Sequence, residues 1–277
     1  MLMTLVRLLP RAALSSAVGS LTRAPAPAGL HRAAMGAFAR AYGVALDEAD
    51  RPLSGYATFS DFFSRGLREG ARPLDPGERV VVSPCDGAVS QAGAVVQGRC
   101  LQAKGLDFPL AELLGDAEAA RPFEDGGAFA TLYLAPRDYH RVHAPLGGTV
   151  TGFHYLPGEF WPVNSASVGS VRGLFTLNER LVTWMDTPAG RCALVMVGAT
   201  CVGRIRAAYD DVLTHAGRPA GAKTYARPLP LARGAEVGRF EMGSTVILLF
   251  AGGRVRWDGG LLPGARVTMG RRIGEAL

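Results

Sequence analysis

Short runs of aliphatic and β-branched residues, each closed by glycine or proline, recur from about residue 78 onward: "RVVVSP", "GAFATLYLAP", "GGTVTGFHYLPG", "RLVTWMD", "CALVMVGATCVGRIRA" and "STVILLFAGGRVRW". Runs of this length and composition predict β-strands, with Gly and Pro marking the turns between them. The first 46 residues have a different texture. Leu5, Leu8 and Ala12 recur at helical spacing while Arg7 and Arg11 share another face; after Pro10 and the break "APAPAG", a second apolar stripe of Leu30, Ala34, Met35 and Phe38 follows. Between the two textures, "TFSDFFSRGLREGARPLD" sets Thr58 three residues before Asp61 in capping-box form, which predicts a helix of about ten residues ending near Gly70. The pattern therefore predicts an α+β protein: an N-terminal helical portion, residues 1–75, on a β-rich core, residues 76–277. No internal repeat or linker-like stretch divides the core further.

Composition narrows the class. Of the 277 residues 48% are hydrophobic, enough to fill a packed core and to exclude a disordered chain. The net charge of +6 favours an anionic partner, nucleic acid or an acidic lipid surface, without choosing between them. Cys85, Cys100, Cys192 and Cys201 are scattered with no C-x-x-C pair, so the spacing suggests neither a metal site nor a disulfide framework, and a reducing compartment is expected. Arg7, Pro10, Arg11 and Arg23 interrupt the N-terminal region, leaving no uncharged apolar stretch of the roughly 18 residues needed to span a bilayer. That region holds five Arg and no acid, which fits a cleaved address peptide, a helix lying on a membrane, or a helical cap on the core.

Candidate chemistry sits in three places. "DYHRVHAP" carries His140 and His143, whose odd spacing on a strand would aim them at opposite faces. Upstream, Asp86 lies in the turn "SPCDG" before a strand, and downstream Ser244 lies in "FEMGSTVILLF". Asp, His and Ser in that order permit a nucleophilic triad, in which the imidazole accepts the hydroxyl proton and the carboxylate orients the imidazole. Taken singly, an Asp-Gly pair is an ordinary turn, paired His on a strand are ordinary polar packing, and Gly-Ser-Thr before a strand is another turn. The G-x-S-x-G elbow is missing at Ser244, so the α/β-hydrolase route finds no support.

Six ordered blocks, "FSDFFSRGLREGARPLD", "VSPCDGAV", "YHRVHAP", "LFTLNERLV", "VGATCVGRI" and "GAEVGRFEMGSTVILLF", resemble the bacterial phosphatidylserine decarboxylase proenzyme family. The resemblance runs from about residue 45 to about residue 270, with a weaker echo at "LLPRAALSSAVGSLTR", and departs visibly at Met242, where Leu is commonest in the family. It implies a pyruvoyl-dependent lyase that makes its cofactor from Ser244. The Ser244 hydroxyl would attack the carbonyl of Gly243, turning amide into ester; β-elimination would cut the chain into 1–243 and 244–277 and leave a dehydroalanine that hydrolyses to pyruvoyl. The matched positions make His143 the base, Asp86 its orienter, and His140 a participant in decarboxylation, as proton donor to the carbanion. A glycine at 243 lets the hydroxyl approach the carbonyl closely.

A substrate amine condensed with the pyruvoyl as a Schiff base would pass its carbanion into the conjugated system, so neither an external cofactor nor a metal is needed. Pyridoxal phosphate is poorly supplied, with only Lys104 and Lys223 available. The implied substrate is phosphatidylserine, converted to phosphatidylethanolamine at the cytoplasmic side of a cell membrane. This favours a retained, peripheral N-terminal helix meeting anionic headgroups, no nucleic acid, and a heterodimer of the two cleavage chains, further oligomerised or not. Competing readings are a pyruvoyl decarboxylase of a soluble amino acid and a lipid-binding module that never cleaves. Asn178, Glu179 and Arg180 read as an internal ion pair or turn as readily as a substrate contact; "VGATCVG" reads as close packing, and Phe62, Phe63 and Arg65 as core rather than lipid-facing.

Overall fold

The computed structural model describes residues 11–25, 27–200, 204–214, 219–241 and 245–277. The expected face built on Leu5, Leu8 and Arg7, together with Cys201 and the turn of Met242, Gly243 and Ser244, lies outside the described residues. Two helices open the described chain, Arg11–Arg23 and Ala28–Tyr42, and Gly43 ends the second at φ 73°, its N–H reaching Ala39 O at 2.9 Å. The second apolar stripe is split. Met35 is buried and Phe38 packs edge-on against Phe59, whereas Leu30 remains 63% exposed beside an open apolar groove.

Thr58 caps the next helix as expected, its Oγ1 accepting from Asp61 N at 3.1 Å, but that helix is only Phe59–Phe63 and not the longer one ending at Gly70. Tertiary burial stops it: Phe62 and Phe63 are already inside, and the buried Arg65 guanidinium donates to Arg137 O at 3.0 Å, drawing the chain across to the β core. Met35, Ala39, Val44, Tyr56 and Phe62 form a small separate core there. The aromatic pair thus faces protein rather than lipid.

Among the described residues sixteen strands follow. In chain order they are β1 (Val80–Val82), β2 (Gly87–Ala94), β3 (Arg99–Ala103), β4 (Leu106–Pro109), β5 (Ala128–Tyr133), β6 (Arg141–His143), β7 (Gly148–Leu156) and β8 (Arg180–Thr187). The second half contains β9 (Gly190–Val197), β10 (Ile205–Ala207), β11 (Gly221–Leu231), β12 (Glu236–Phe240), β13 (Thr245–Phe250), β14 (Val255–Trp257), β15 (Arg266–Val267) and β16 (Arg272–Ala276). Eight of them form one antiparallel sheet in the order β11-β7-β8-β9-β13-β5-β2-β15, and β10-β12-β6 and β1-β16-β14 form two smaller sheets. With its N-terminal helices, this is the expected β-rich α+β class.

Strand β13 sits in the middle of the large sheet, and both faces of that sheet are covered. Val246, Leu248 and Phe250 join a core with Leu132, Val142 and Leu194; Ile247 and Leu249 join another with Phe123, Phe129 and Val195. Burial on both sides is why "TVILLF" shows no apolar-polar alternation. Around it, β15 pairs with β2 and β16 with β1, so the end of the chain is woven through strands formed much earlier.

Candidate active site

Strand β6, carrying His143 and following directly on His140, lies against β12 with Glu236 opposite His143 and Arg239 opposite Arg141. Phe240 N donates to His140 O at 3.0 Å, and His143 N donates to Pro84 O at 2.7 Å. The histidine strand is thereby held between the turn ending in Asp86 and the strand that runs into Glu241, the last described residue before Ser244. The chain resumes at Thr245, which pairs with Tyr133 and Val197 at the ends of β5 and β9. Asp86, both histidines and the two described flanks of Ser244 therefore share one region of the fold.

The two imidazoles are in different states of confinement. His143 Nδ1 lies 2.9 Å from Gly234 O, which only accepts, so Nδ1 carries the hydrogen and Nε2 keeps its lone pair, accepting from Tyr139 Oη at 3.1 Å. Burial, opposed by the Gly234 hydrogen bond, holds the His143 pKa below its usual range. His140 is fully buried with its ring 4.1 Å from that of Phe63. Its Nδ1–H is given to Asp138 O at 2.8 Å, while Nε2 is buried with no hydrogen-bond partner. Burial first, with the nearby Arg65 charge acting in the same direction, pushes its pKa down to about 3. At neutral pH His140 thus offers a bare acceptor at Nε2 and no proton there.

Asp86 stands apart from the expected triad geometry. Its carboxylate takes Arg72 Nε at 3.0 and 3.2 Å and Arg72 Nη2 at 2.6 Å, and accepts from Met269 N at 2.9 Å. Arg72 Nη2 also bonds Glu48 at 2.7 Å, and these bonds, chiefly that to Asp86, raise the guanidinium pKa further. No hydrogen bond joins Asp86 to His143; a paired guanidinium occupies the carboxylate, and the Gly234 carbonyl orients the imidazole. Asp86 acts on His143 through space, as one of the charges that favour its protonated form. Arg65, Arg72, Asp86, Asp138, Tyr139 and Arg266 line a polar cavity of about 210 Å³ beside these groups. Asp138 is itself held by Arg266 at 2.6 Å and Ala135 N at 2.8 Å, which fixes the carbonyl that orients His140.

The "LFTLNERLV" block contains a buried hydrogen-bond hub. Asn178 bonds Trp161 N, Trp161 O and Gly198 O; Glu179 accepts from Tyr155 Oη and Thr214 Oγ1; Arg180 donates to the carbonyls of Leu113, Thr176, Asn178 and Glu112. Tyr139 is legible beside His140, while Arg72 and Gly234 carry no sequence signature. They come to the site only through folding.

Comparison with known proteins agrees with this arrangement of blocks. The family described as phosphatidylserine decarboxylase matches residues 59–275. A phosphatidylserine decarboxylase proenzyme of Myxococcus xanthus (strain DK1622) is 60% identical over 98% of this chain and 97% of its own length. Proteins of the same name from Anaeromyxobacter sp. (strain K) and Azotobacter vinelandii are 58% and 45% identical, again over nearly the full length of both chains. These relatives are decarboxylases named as proenzymes. The chain belongs to the phosphatidylserine decarboxylase family.

Proposed function

We propose that this protein decarboxylates phosphatidylserine to phosphatidylethanolamine, releasing carbon dioxide, after converting its own Ser244 into a pyruvoyl group. The observation that carries the reading is the pairing of β12 with β6, which brings the residues before Ser244 against two histidines with their Nε2 atoms unprotonated. Two buried atoms without partners, His140 Nε2 and Thr245 Oγ1, fit a reactive group formed at the start of β13.

In maturation, His143 Nε2 takes the Ser244 hydroxyl proton as Oγ adds to the Gly243 carbonyl, and Tyr139 Oη must first yield that nitrogen. Asp86, paired with Arg72, is one of the charges that favour the imidazolium that results. The pyruvoyl carbonyl would supply the electron sink for the pair left on carbon as carbon dioxide departs. His140, with no proton on Nε2 at rest, takes one from the substrate ammonium and returns it to the carbon that lost carbon dioxide. This refines its expected role: it must be loaded with a proton before it donates one.

Lipid as substrate accounts for the N-terminal portion, residues 1–75, which we assign to peripheral membrane contact, with residues 76–277 as the catalytic core. Leu21, Ala24, Pro25, Leu30, Ala34 and Phe59 line an apolar groove of about 350 Å³, with Leu21 75% exposed, and the two N-terminal helices beside it carry Arg11, Arg23, Arg32 and Arg40 and no acid. Apolar surface edged by arginine suits insertion among anionic headgroups at the cytoplasmic face. Among the described residues no helix is long and apolar enough to cross a membrane. A soluble amino acid would make no use of the groove.

Intact mass under denaturing conditions tests the proposal. Two chains, 1–243 and 244–277, the smaller with an N-terminal pyruvoyl, and release of carbon dioxide from phosphatidylserine vesicles are expected; an active preparation that is one intact chain refutes it. Ser244→Ala should leave the chain whole. Release from free serine but not from vesicles would favour the soluble-substrate reading.

A further inference from the structure

Glu241, three residues before Ser244, is a carboxylate shared by three arginines. Arg204 Nε stands 2.8 Å from Glu241 Oε2, Arg206 Nε 3.8 Å from Oε1, and Arg23 Nη1 4.0 Å from Oε2. Among the described residues none of the three has another carboxylate within ion-pair distance, so the cluster carries more positive charge than its one acid cancels. The group is half-sheltered, with the Glu241 side chain only 14% exposed, and screening by salt is correspondingly weaker. Charge proximity at Arg204 is not matched by alignment: its Nε and Glu241 Oε2 are both buried without a proper hydrogen bond. Burial, and then the Arg204 charge, hold the Arg23 guanidinium below its ordinary pKa, as expected where cations outnumber anions. The backbone fixes the arrangement, since Glu241 N donates to Arg204 O at 2.9 Å and Ser60 Oγ to Glu241 O at 3.5 Å.

We propose that Arg23, Arg204 and Arg206 form a preset anion site for the carboxylate that leaves from Gly243 when the chain cuts itself. The inference rests on the maturation reading above. In that sequence Ser244 Oγ bonds the Gly243 carbonyl carbon, the Gly243–Ser244 C–N bond breaks, and the Ser244 nitrogen takes up the proton that His143 removed from the hydroxyl, becoming a free amine. A base then removes the Ser244 Cα proton, the Cβ–Oγ bond breaks, and its electron pair departs with Gly243 as a full carboxylate. The resulting dehydroalanine takes up water and releases ammonia. A negative charge absent from both amide and ester thus develops in the elimination step, at a residue two places along the sequence from Glu241. Fixed cations beside a developing charge lower the barrier to forming it. They also hold the new chain end once it is free.

The test separates elimination from ester formation. Freshly made Arg204→Gln/Arg206→Gln protein, followed by intact mass over time, should cut about tenfold more slowly than the parent. It should also accumulate an uncut species that neutral hydroxylamine splits at Gly243, the mark of an ester. Arg204→Lys/Arg206→Lys, which keeps the charge, should recover most of the rate. The proposal is overturned if the glutamine double variant cuts at the parental rate, or if it stalls as unreacted amide with no hydroxylamine-sensitive form, since arginines that merely position Glu241 would give the latter. Should that variant not fold, Arg23→Gln, on a helix outside the β core, is followed by the same two measurements: slow cutting with an ester that accumulates supports the site, and parental cutting or a stalled amide overturns it. A parent chain that is never cut after Gly243 would instead sink the maturation reading itself.

Discussion

Cutting a chain in front of the central strand of its largest sheet ought to threaten the fold, and the architecture predicts that it does not. Residues 245–277 contribute β13 between β5 and β9, β15 beside β2 and β16 beside β1, so a released fragment remains laddered to the larger chain along three strands. Val246, Ile247, Leu248, Leu249 and Phe250 are all fully buried. At about 2 kcal/mol for each such side chain, β13 alone contributes on the order of 10 kcal/mol of apolar stabilisation to the association. The perturbation is Leu248→Ala, which removes buried carbons from a sheet covered on both faces; a site that collapses poorly costs about 3 kcal/mol, or more than a hundredfold in the dissociation constant. Cleaved protein should run as one species on a native sizing column at micromolar concentration, with both chains present on denaturing mass analysis. Leu248→Ala protein should begin to separate on serial dilution at concentrations where the parent holds together. Separation of the parental small chain at micromolar concentration, or equal dilution behaviour of the two proteins, would refute the reasoning.

Tyr139→Phe removes the hydroxyl from His143 Nε2 and leaves ring stacking in place, so cutting after Gly243 should be unchanged or faster, as read by a time course of intact mass; a block would mean that the hydroxyl itself relays the proton. Arg72→Gln strips Asp86 of its cation while both side chains are largely buried, which should lower unfolding stability by about 3 kcal/mol in urea titration, with Arg72→Lys recovering part; no change would show the clamp to be energetically idle. Acid should weaken the fold through His140: its folded pKa of about 3 lies below the unfolded 6.5, so the unfolded chain gains a proton below pH 6.5 that the folded one refuses. Stability then falls by about 1.4 kcal/mol per pH unit, roughly 2 kcal/mol by pH 5, and His143, shifted in the same direction, adds to it. Urea midpoints at pH 7.5 and 5 for Ser244→Ala protein with and without His140→Gln isolate the His140 share, which is absent if the two lose stability in parallel.

The strands are legible because glycine and proline punctuate them, and β13 stands out as a continuous apolar run because it is buried on both faces. The exposed edge strand β11 is not legible, since Lys223, Arg227, Pro228 and Pro230 give it the composition of a loop, and its pairing with β7 is what makes it a strand. The helix after Thr58 starts where its cap predicts and ends earlier, because its end is set by Arg65 reaching Arg137 O across 72 residues, a distance no local pattern encodes. At the site, Asp86, His140 and His143 are visible as residue types capable of the chemistry. Their partners are not, since Arg72, Gly234 and Asp138 act through a guanidinium fork and two backbone carbonyls. A carbonyl has no sequence signature.

Those two carbonyls set what the histidines have in common. Each imidazole gives its Nδ1 hydrogen to a backbone oxygen, so both present Nε2 as an acceptor and neither depends on a carboxylate for its tautomer. What remains different is the surrounding of Nε2. His143 has a tyrosine hydroxyl on that nitrogen and is not fully buried, conditions in which a base exchanges its hydrogen-bond partner readily and its protonated form is favoured by Asp86 and Glu236. His140 has a dry nitrogen, an aromatic ring at 4.1 Å and a guanidinium nearby, conditions that forbid the imidazolium until another group brings a proton with it. A residue in the first setting suits a step that begins from a neutral hydroxyl and must generate charge. One in the second suits a step in which the incoming substrate is itself the acid, since a cationic ammonium delivers the proton that burial denies to water. In the proposed mechanism the order of events would then be built into burial: His143 would work on the chain before any substrate binds, and His140 would become competent only when one does.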